Sequence, residues 1–226
     1  MPEVAELARS ILACPQSAEL AVDGHPGVGC DDGLGLRDEE SVPTFSCRAG
    51  SPMAQAGRDG CRALVTLVSG LGPEGGPDRS LTLTLTGTLA IGARESCTCC
   101  GEERHDVLLD LEFVVLSRGH ADQCRVPLGE FRSPALRLNR GYLQRAVEHA
   151  NDCHREELGA VVARTTGTPP EHLLDAQLAD LTTQGAELAW IDRDGGHRAS
   201  VWFSRPACSV EELGVLLRRE LHSGIC

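Results

Sequence analysis

RAVEHANDCHREELGAVVAR, residues 145–164, is the longest helical pattern in the chain. Leu143, Val147, Ala150, His154, Leu158 and Val161 step by three or four positions, the spacing that places side chains on one face of an α-helix. Glu148, Asp152, Arg155 and Glu157 lie off that stripe, so the expectation is a single helix with one polar residue, His154, inside its apolar face. Upstream, the sequence reads as small-residue strands and turns. Downstream, it reads as a short set of strands closed by another helix. The helix is therefore expected to stand between two domains.

In the upstream half, residues 80–86 (SLTLTLT) give the clearest strand: Leu81, Leu83 and Leu85 alternate with threonines, and Gly87 is expected to bend it. An amphipathic helix is expected over 3–13. Strands are expected over 17–22, 42–47, 62–69 and 106–116, with a return strand after Arg118-Gly119. Residues 25–30 are expected to return antiparallel after the Asp23-Gly24 turn. Ser51-Pro52 reads as the cap and first position of a short helix over 51–58. Regular short strands with turns between them suggest a β-barrel or sandwich. Beyond the central helix, with Asn139 as its cap, strands are expected over 178–182, 187–193 and 197–203, with a turn at Asp194-Gly195-Gly196. Ser209 and Glu212 have capping-box spacing at the start of the final helix.

Composition narrows the function. A net charge of −12 argues against a nucleic-acid partner, since phosphates would meet a repelling surface. Every basic residue is Arg, which removes Lys as a phosphate anchor or Schiff-base nucleophile. Aromatic residues make up 3%, so surfaces for stacking a flavin are few. No apolar run reaches membrane-spanning length, and the acidic N-terminal stretch lacks the apolar core of a signal peptide. Eleven cysteines in such a chain are read as mostly free thiols in a cytoplasmic protein.

The layout resembles a known family. The N-terminal helix, the crossing at Asp23-Gly24-His25-Pro26, Phe45-Ser46-Cys47, the short helix and the strands at 63–68 and 81–87 look like the split β-barrel of the pyridoxamine phosphate oxidase-like, FMN-binding superfamily. The C-terminal part is similar to the small α/β domain that follows this barrel in haem-utilisation proteins and in plant proteins that bind glutamyl-tRNA reductase. That domain carries a His-x-Asn-x-Asp-His pattern on its first helix. Here the stretch reads His149-Ala150-Asn151-Asp152-Cys153-His154, matching at His149, Asn151 and His154 and departing at Cys153. Val201-Trp202-Phe203-Ser204-Arg205-Pro206 before an acidic helix start also matches. The resemblance implies an α+β fold: a split β-barrel over 1–127, a linker over 128–138 and a small α/β domain over 139–226. It also implies a homodimer with a cofactor site at the interface.

Each candidate site has a plain alternative. Arg48, with Ser46 and Ser51, is suited to a phosphate at a helix N-terminus; alternatively, Arg48 is a surface residue and Ser51 only a cap. Arg58 and Arg62 are further candidates. A haem would need an axial ligand, for which His120 and His222 are the candidates, though His222 equally suits the negative end of the last helix. Cys97, Cys99 and Cys100 with His105 have the ligand types for zinc or an iron–sulfur cluster, but their spacing departs from a zinc ribbon and an exposed oxidisable loop is the competing reading. His149, Asn151 and His154 are assigned structural roles, with His154 expected to tie the helix to the small domain's sheet. No nucleophilic triad or dinucleotide loop is visible. The expected function is a cofactor-binding protein of the haem-utilisation type holding haem or FMN. A non-enzymatic protein that holds a partner and an FMN-dependent oxidoreductase stand as alternatives.

Overall fold

The computed structural model describes residues 2–28, 35–96, 103–119 and 122–220. The protein is α+β, a split β-barrel followed by a small α/β domain, and its chain divides into two compact units, Met1–Gly141 and Tyr142–Cys226.

The first unit runs α1 (Pro2–Ala13), β1 (Pro15–Val22), β2 (Leu36–Glu39), β3 (Val42–Arg48), α2 (Pro52–Asp59), β4 (Arg62–Ser69), β5 (Leu81–Ser96), β6 (Glu103–Arg118), β7 (Asp122–Arg125) and the single turn α3 (Leu128–Phe131). Its strands form one antiparallel sheet in the order β1-β4-β5-β6-β3-β2, curled into a half-barrel. β6 is long enough to serve two neighbours along one edge, β3 at its start and β7 at its end. The threonine–leucine alternation of β5 has the expected consequence: Leu81, Leu83 and Leu85 are buried and the intervening threonines half-buried. Leu67, Val65, Leu109 and Val114 join them from β4 and β6, and Ala8, Ile11 and Leu12 come from α1. Each fully buried leucine contributes roughly 1.5–3 kcal/mol.

Gly87 bends β5 as expected. The register shifts between Thr86 and Gly87, and a Cβ at Gly87 would stand 2.0 Å from the Asp110 carbonyl oxygen, so no other residue fits beside β6 there. Of the returning strand expected over 25–30, residues 25–28 form no strand and 26–28 are turns, while 29–30 lie outside the described residues. Pro26 has no N–H for a ladder and Gly27 has a φ of +87°, and the strand paired with β1 is instead β4. The β2–β3 hairpin turns on Glu40 and Ser41, both with positive φ, and the Ser41 N–H donates to Asp38 Oδ1 at 2.8 Å. The stretch 128–138, expected as a linker, carries α3 and buries Phe131 in the barrel core.

Arg9, 2% exposed, is the largest fully buried side chain among the described residues. Its guanidinium meets Asp38 Oδ2 at 2.7 and 3.2 Å, donates to the Phe131 carbonyl at 3.1 Å and lies 5.5 Å from the Phe131 ring centre.

The second unit contains α4 (Arg140–Cys153) from Tyr142 onward, α5 (Arg155–Thr166), β8 (Asp175–Leu181), β9 (Gly185–Asp192), β10 (Gly195–Trp202) and α6 (Val210–Glu220), with the sheet in the order β10-β9-β8. The single helix expected over 145–164 is two. The backbone leaves helical geometry at His154 (φ −127°, ψ 35°). Bonds from His154 N to Ala150 O and from Leu158 N to His154 O flank the break at 2.9 and 3.0 Å. Glu156 and Glu157 then fall in the first turn of α5, where negative charge favours a new helix start. The final hairpin turns one residue earlier than expected, with Asp192 opposite Gly195. Asp192 Oδ1 accepts from the N–H groups of Asp194 and Gly195 and lies 2.8 Å from His197 Nε2, while the His197 ring stacks on Trp190. The His197 hydrogen bond leads the causes that lower the Asp192 pKa. Ser209 caps α6 by accepting from Glu212 N at 3.1 Å, and the Glu212 carboxylate returns to Cys208 N.

Two outcomes follow from these contacts. Asp38→Ala strands a buried guanidinium and is expected to cost about 3–5 kcal/mol in denaturant unfolding. Because the Asp192 pKa is lowered on folding, its contribution is present above the ordinary value of 3.8 and is lost as pH falls through the folded value. The stability gap between the wild type and Asp192→Asn, measured across an acid titration, should therefore close below about pH 4.

Candidate functional site

The corner where β3 enters α2 gathers the expected anion-binding residues. β3 ends at Arg48, Gly50 takes a φ of +109°, and Ser51 N–H donates back to Arg48 O at 3.1 Å. Ser51 Oγ accepts from Ala54 N at 3.2 Å and Pro52 opens the helix, so Ser51 is the cap its Ser-Pro pair predicted. Its hydroxyl is engaged by the helix.

The cross-strand register adds a residue that sequence reasoning missed. β3 and β6 pair Ser46 with Asp106, Cys47 with His105 and Arg48 with Arg104. Directly opposed residues share a face of the sheet, so Ser46, Arg48, Arg104 and Asp106 lie on one face, and Cys47 and His105 share the other with buried Phe45 and Val107. Arg104 Nε donates to Ser46 Oγ at 3.0 Å and another guanidinium nitrogen donates to Ser46 O at 3.2 Å. Arg37, from β2, meets Asp106 of β6 at 2.6 Å. The register therefore pairs Arg48 with Arg104 across β3 and β6, with Arg48 three residues before the Ser51 cap of α2. That donor set suits a carboxylate or phosphate. Arg58 and Arg62 point to other duties: Arg58 donates to Gln55 at 3.1 Å and Arg62 to Glu112 at 2.7 Å.

His120, His222, Cys97, Cys99 and Cys100 lie outside the described residues. His105, expected beside a cysteine loop, belongs to β6, and its Nδ1 is buried with no hydrogen-bond partner among the described residues.

In the second unit, Asn151 makes the connection expected of His154. Its Nδ2 donates to Leu178 O at 2.9 Å and its Oδ1 accepts from Leu178 N at 2.8 Å, so one side chain completes both hydrogen-bonding groups of a strand residue. Both ring nitrogens of His154 are buried with no hydrogen-bond partner among the described residues. Nδ1 stands 3.8 Å from Glu157, and the ring meets His149 edge-on at 5.2 Å. The open face of the sheet carries a shallow cavity of about 390 Å³ lined by Asp175, Gln177, Ile191 and Arg198.

No family model and no curated protein matches the chain. Among solved structures, the chain is similar to a haem binding protein from Mycobacterium smegmatis, at 15% identity and a TM-score of 0.44, covering 98% of this chain and 97% of that one. It is also similar to a putative general stress family protein from Xanthomonas campestris pv. campestris, at 10% identity and a TM-score of 0.38, covering 53% of this chain and 90% of that one. No helix among the described residues is long and apolar enough to cross a membrane.

Asn151→Leu removes both bonds to Leu178, each leaving a backbone group unsatisfied at a cost of about 1–3 kcal/mol. Thermal unfolding is expected to show that loss, whereas Asp152→Leu, at an exposed neighbouring position, should leave stability within about 0.5 kcal/mol.

Proposed function

We propose that this chain is a cytoplasmic cofactor-binding protein of the split-barrel, haem-utilisation type, and that it holds haem, with FMN the weaker fit, at a site shared across a homodimer. The observation that carries the reading is the opposition of Arg48 and Arg104 beside the start of α2. Two guanidinium groups match two carboxylates through charge-assisted bonds, which suits the paired propionates of haem. The scarcity of aromatic side chains counts against a stacked isoalloxazine. The donor set thus fits the anionic end of haem. His120 or His222 would supply a protein ligand to the iron. Bound haem would supply iron-centred ligand binding and redox chemistry, with Arg48 and Arg104 orienting its acidic edge.

A second reading, a protein that holds a partner without a cofactor, is favoured by the exposure of Leu174 and Trp202, 68% and 69%, in the small domain.

Haem titrated into the purified protein is expected to give a saturable Soret band. Arg48→Ala with Arg104→Ala should weaken binding by about tenfold or more, since each charge-assisted bond is worth roughly 1.5–3 kcal/mol. A protein that gains no band with haem, and does not quench FMN fluorescence, would abandon the cofactor reading in favour of the partner one.

A further inference from the structure

The far end of α2 brings together three side chains that no part of the cofactor reading uses. His25 follows the turn after β1, Asp59 is the last residue of α2, and Cys61 precedes β4. One ligand atom from each lies within 4.8 Å of the other two. We propose that His25, Asp59 and Cys61 form a zinc site of three protein ligands, with the fourth position open to water.

The geometry is close to what zinc requires. With Zn–S of about 2.3 Å and Zn–N of about 2.0–2.1 Å at a tetrahedral angle, sulfur and nitrogen are about 3.6 Å apart. Cys61 Sγ lies 3.8 Å from His25 Nδ1, so a small adjustment brings both within bonding distance of one ion. The ligand-bearing segments are held by the backbone. Cys61 N donates to Ala56 O at 3.0 Å, Leu89 N donates to Cys61 O at 2.9 Å, Asp23 N donates to Arg62 O at 3.0 Å and His25 N donates to Val22 O at 3.2 Å. Gly60, at φ +64°, turns the chain between two of the ligands.

The next layer is also in place. Gln55 Nε2 donates to both Asp59 carboxylate oxygens at 2.9 and 3.0 Å, and Arg58 holds the Gln55 amide oxygen at 3.1 Å, which fixes the carboxylate while leaving lone pairs for a metal. His25 Nδ1 lies 3.2 Å from Asp23 O, so binding through Nδ1 moves its proton to Nε2 and releases that contact. The mixture of thiolate, imidazole and carboxylate selects zinc over magnesium or calcium, which prefer oxygen alone. Half-buried His25 and Cys61 form the inner side and exposed Asp59 the outer, leaving water access to the open position. Binding releases the Cys61 thiol proton to solvent. The helix itself separates this site from the Ser51 end by about 12 Å.

The test uses the full chain, metal-free and reduced, carrying Cys97→Ser, Cys99→Ser and Cys100→Ser so that those thiols contribute no signal. Cobalt(II) is the probe and zinc(II) the competitor. About one cobalt per chain should bind, with a thiolate-to-cobalt charge-transfer band and tetrahedral visible bands that zinc abolishes. Cys61→Ser should remove the charge-transfer band, and His25→Ala and Asp59→Asn should weaken binding by about tenfold or more. Metal-free unfolding temperatures of the variants verify that they fold, and zinc should raise the unfolding temperature of the parent but not of Cys61→Ser. A charge-transfer band that survives Cys61→Ser in a folded chain, or no band at all in the parent, overturns the proposal.

Discussion

The barrel depends on one buried charge. Arg9 projects from α1 into a region where water cannot reach it, and an unpaired guanidinium there would cost several kcal/mol. Asp38 neutralises it with one carboxylate oxygen and uses the other to hold the Ser41 N–H in the β2–β3 turn. The Phe131 carbonyl takes a further Arg9 donor, and the Phe131 ring lies beside the cation. Helix α1, the β2–β3 hairpin and the α3 turn are therefore tied through a single side chain. The apolar face of α1 supplies most of the burial, but apolar contacts alone tolerate sliding. The Arg9 fork fixes which turn of the helix faces the hairpin.

That hairpin in turn sets the candidate site. β2 and its tight turn hold β3 at a defined register against β6, and the register puts Arg48 opposite Arg104 and Cys47 opposite His105. A slip of β3 by one residue would move Arg48 to the other face and leave Arg104 where it is. The anion-binding character of the corner is thus a property of strand pairing as much as of the residues. α2 contributes at both ends: its Ser51 cap adjoins the arginines, and its last residue, Asp59, meets His25 and Cys61.

The small domain uses a different device. The stripe read across 143–161 is continuous in sequence, but the helix is interrupted at His154, and the tie to the sheet is made by the Asn151 amide. An amide carries both a donor and an acceptor, so it can satisfy both groups of Leu178 at once, which an imidazole in one tautomer does only with its two opposite nitrogens.

Local order was legible in the amino-acid sequence wherever the cause lay within a few residues. The Leu–Thr alternation over 81–86, the Ser51-Pro52 helix start, the bend at Gly87 and the Ser209 cap all rest on neighbouring groups, and the structure contains each of them. Tertiary structure decided the rest. In place of the return strand expected after β1, residues 25–28 form no strand and β1 pairs with β4, a segment forty residues further along the chain. Arg104 reached Arg48, and His25 reached Cys61, only once sheet order and register were set between distant segments. Periodicity reports which face a residue occupies on its own element, whereas the partner across the sheet depends on which strand lies alongside and at what offset, and no short-range pattern encodes that.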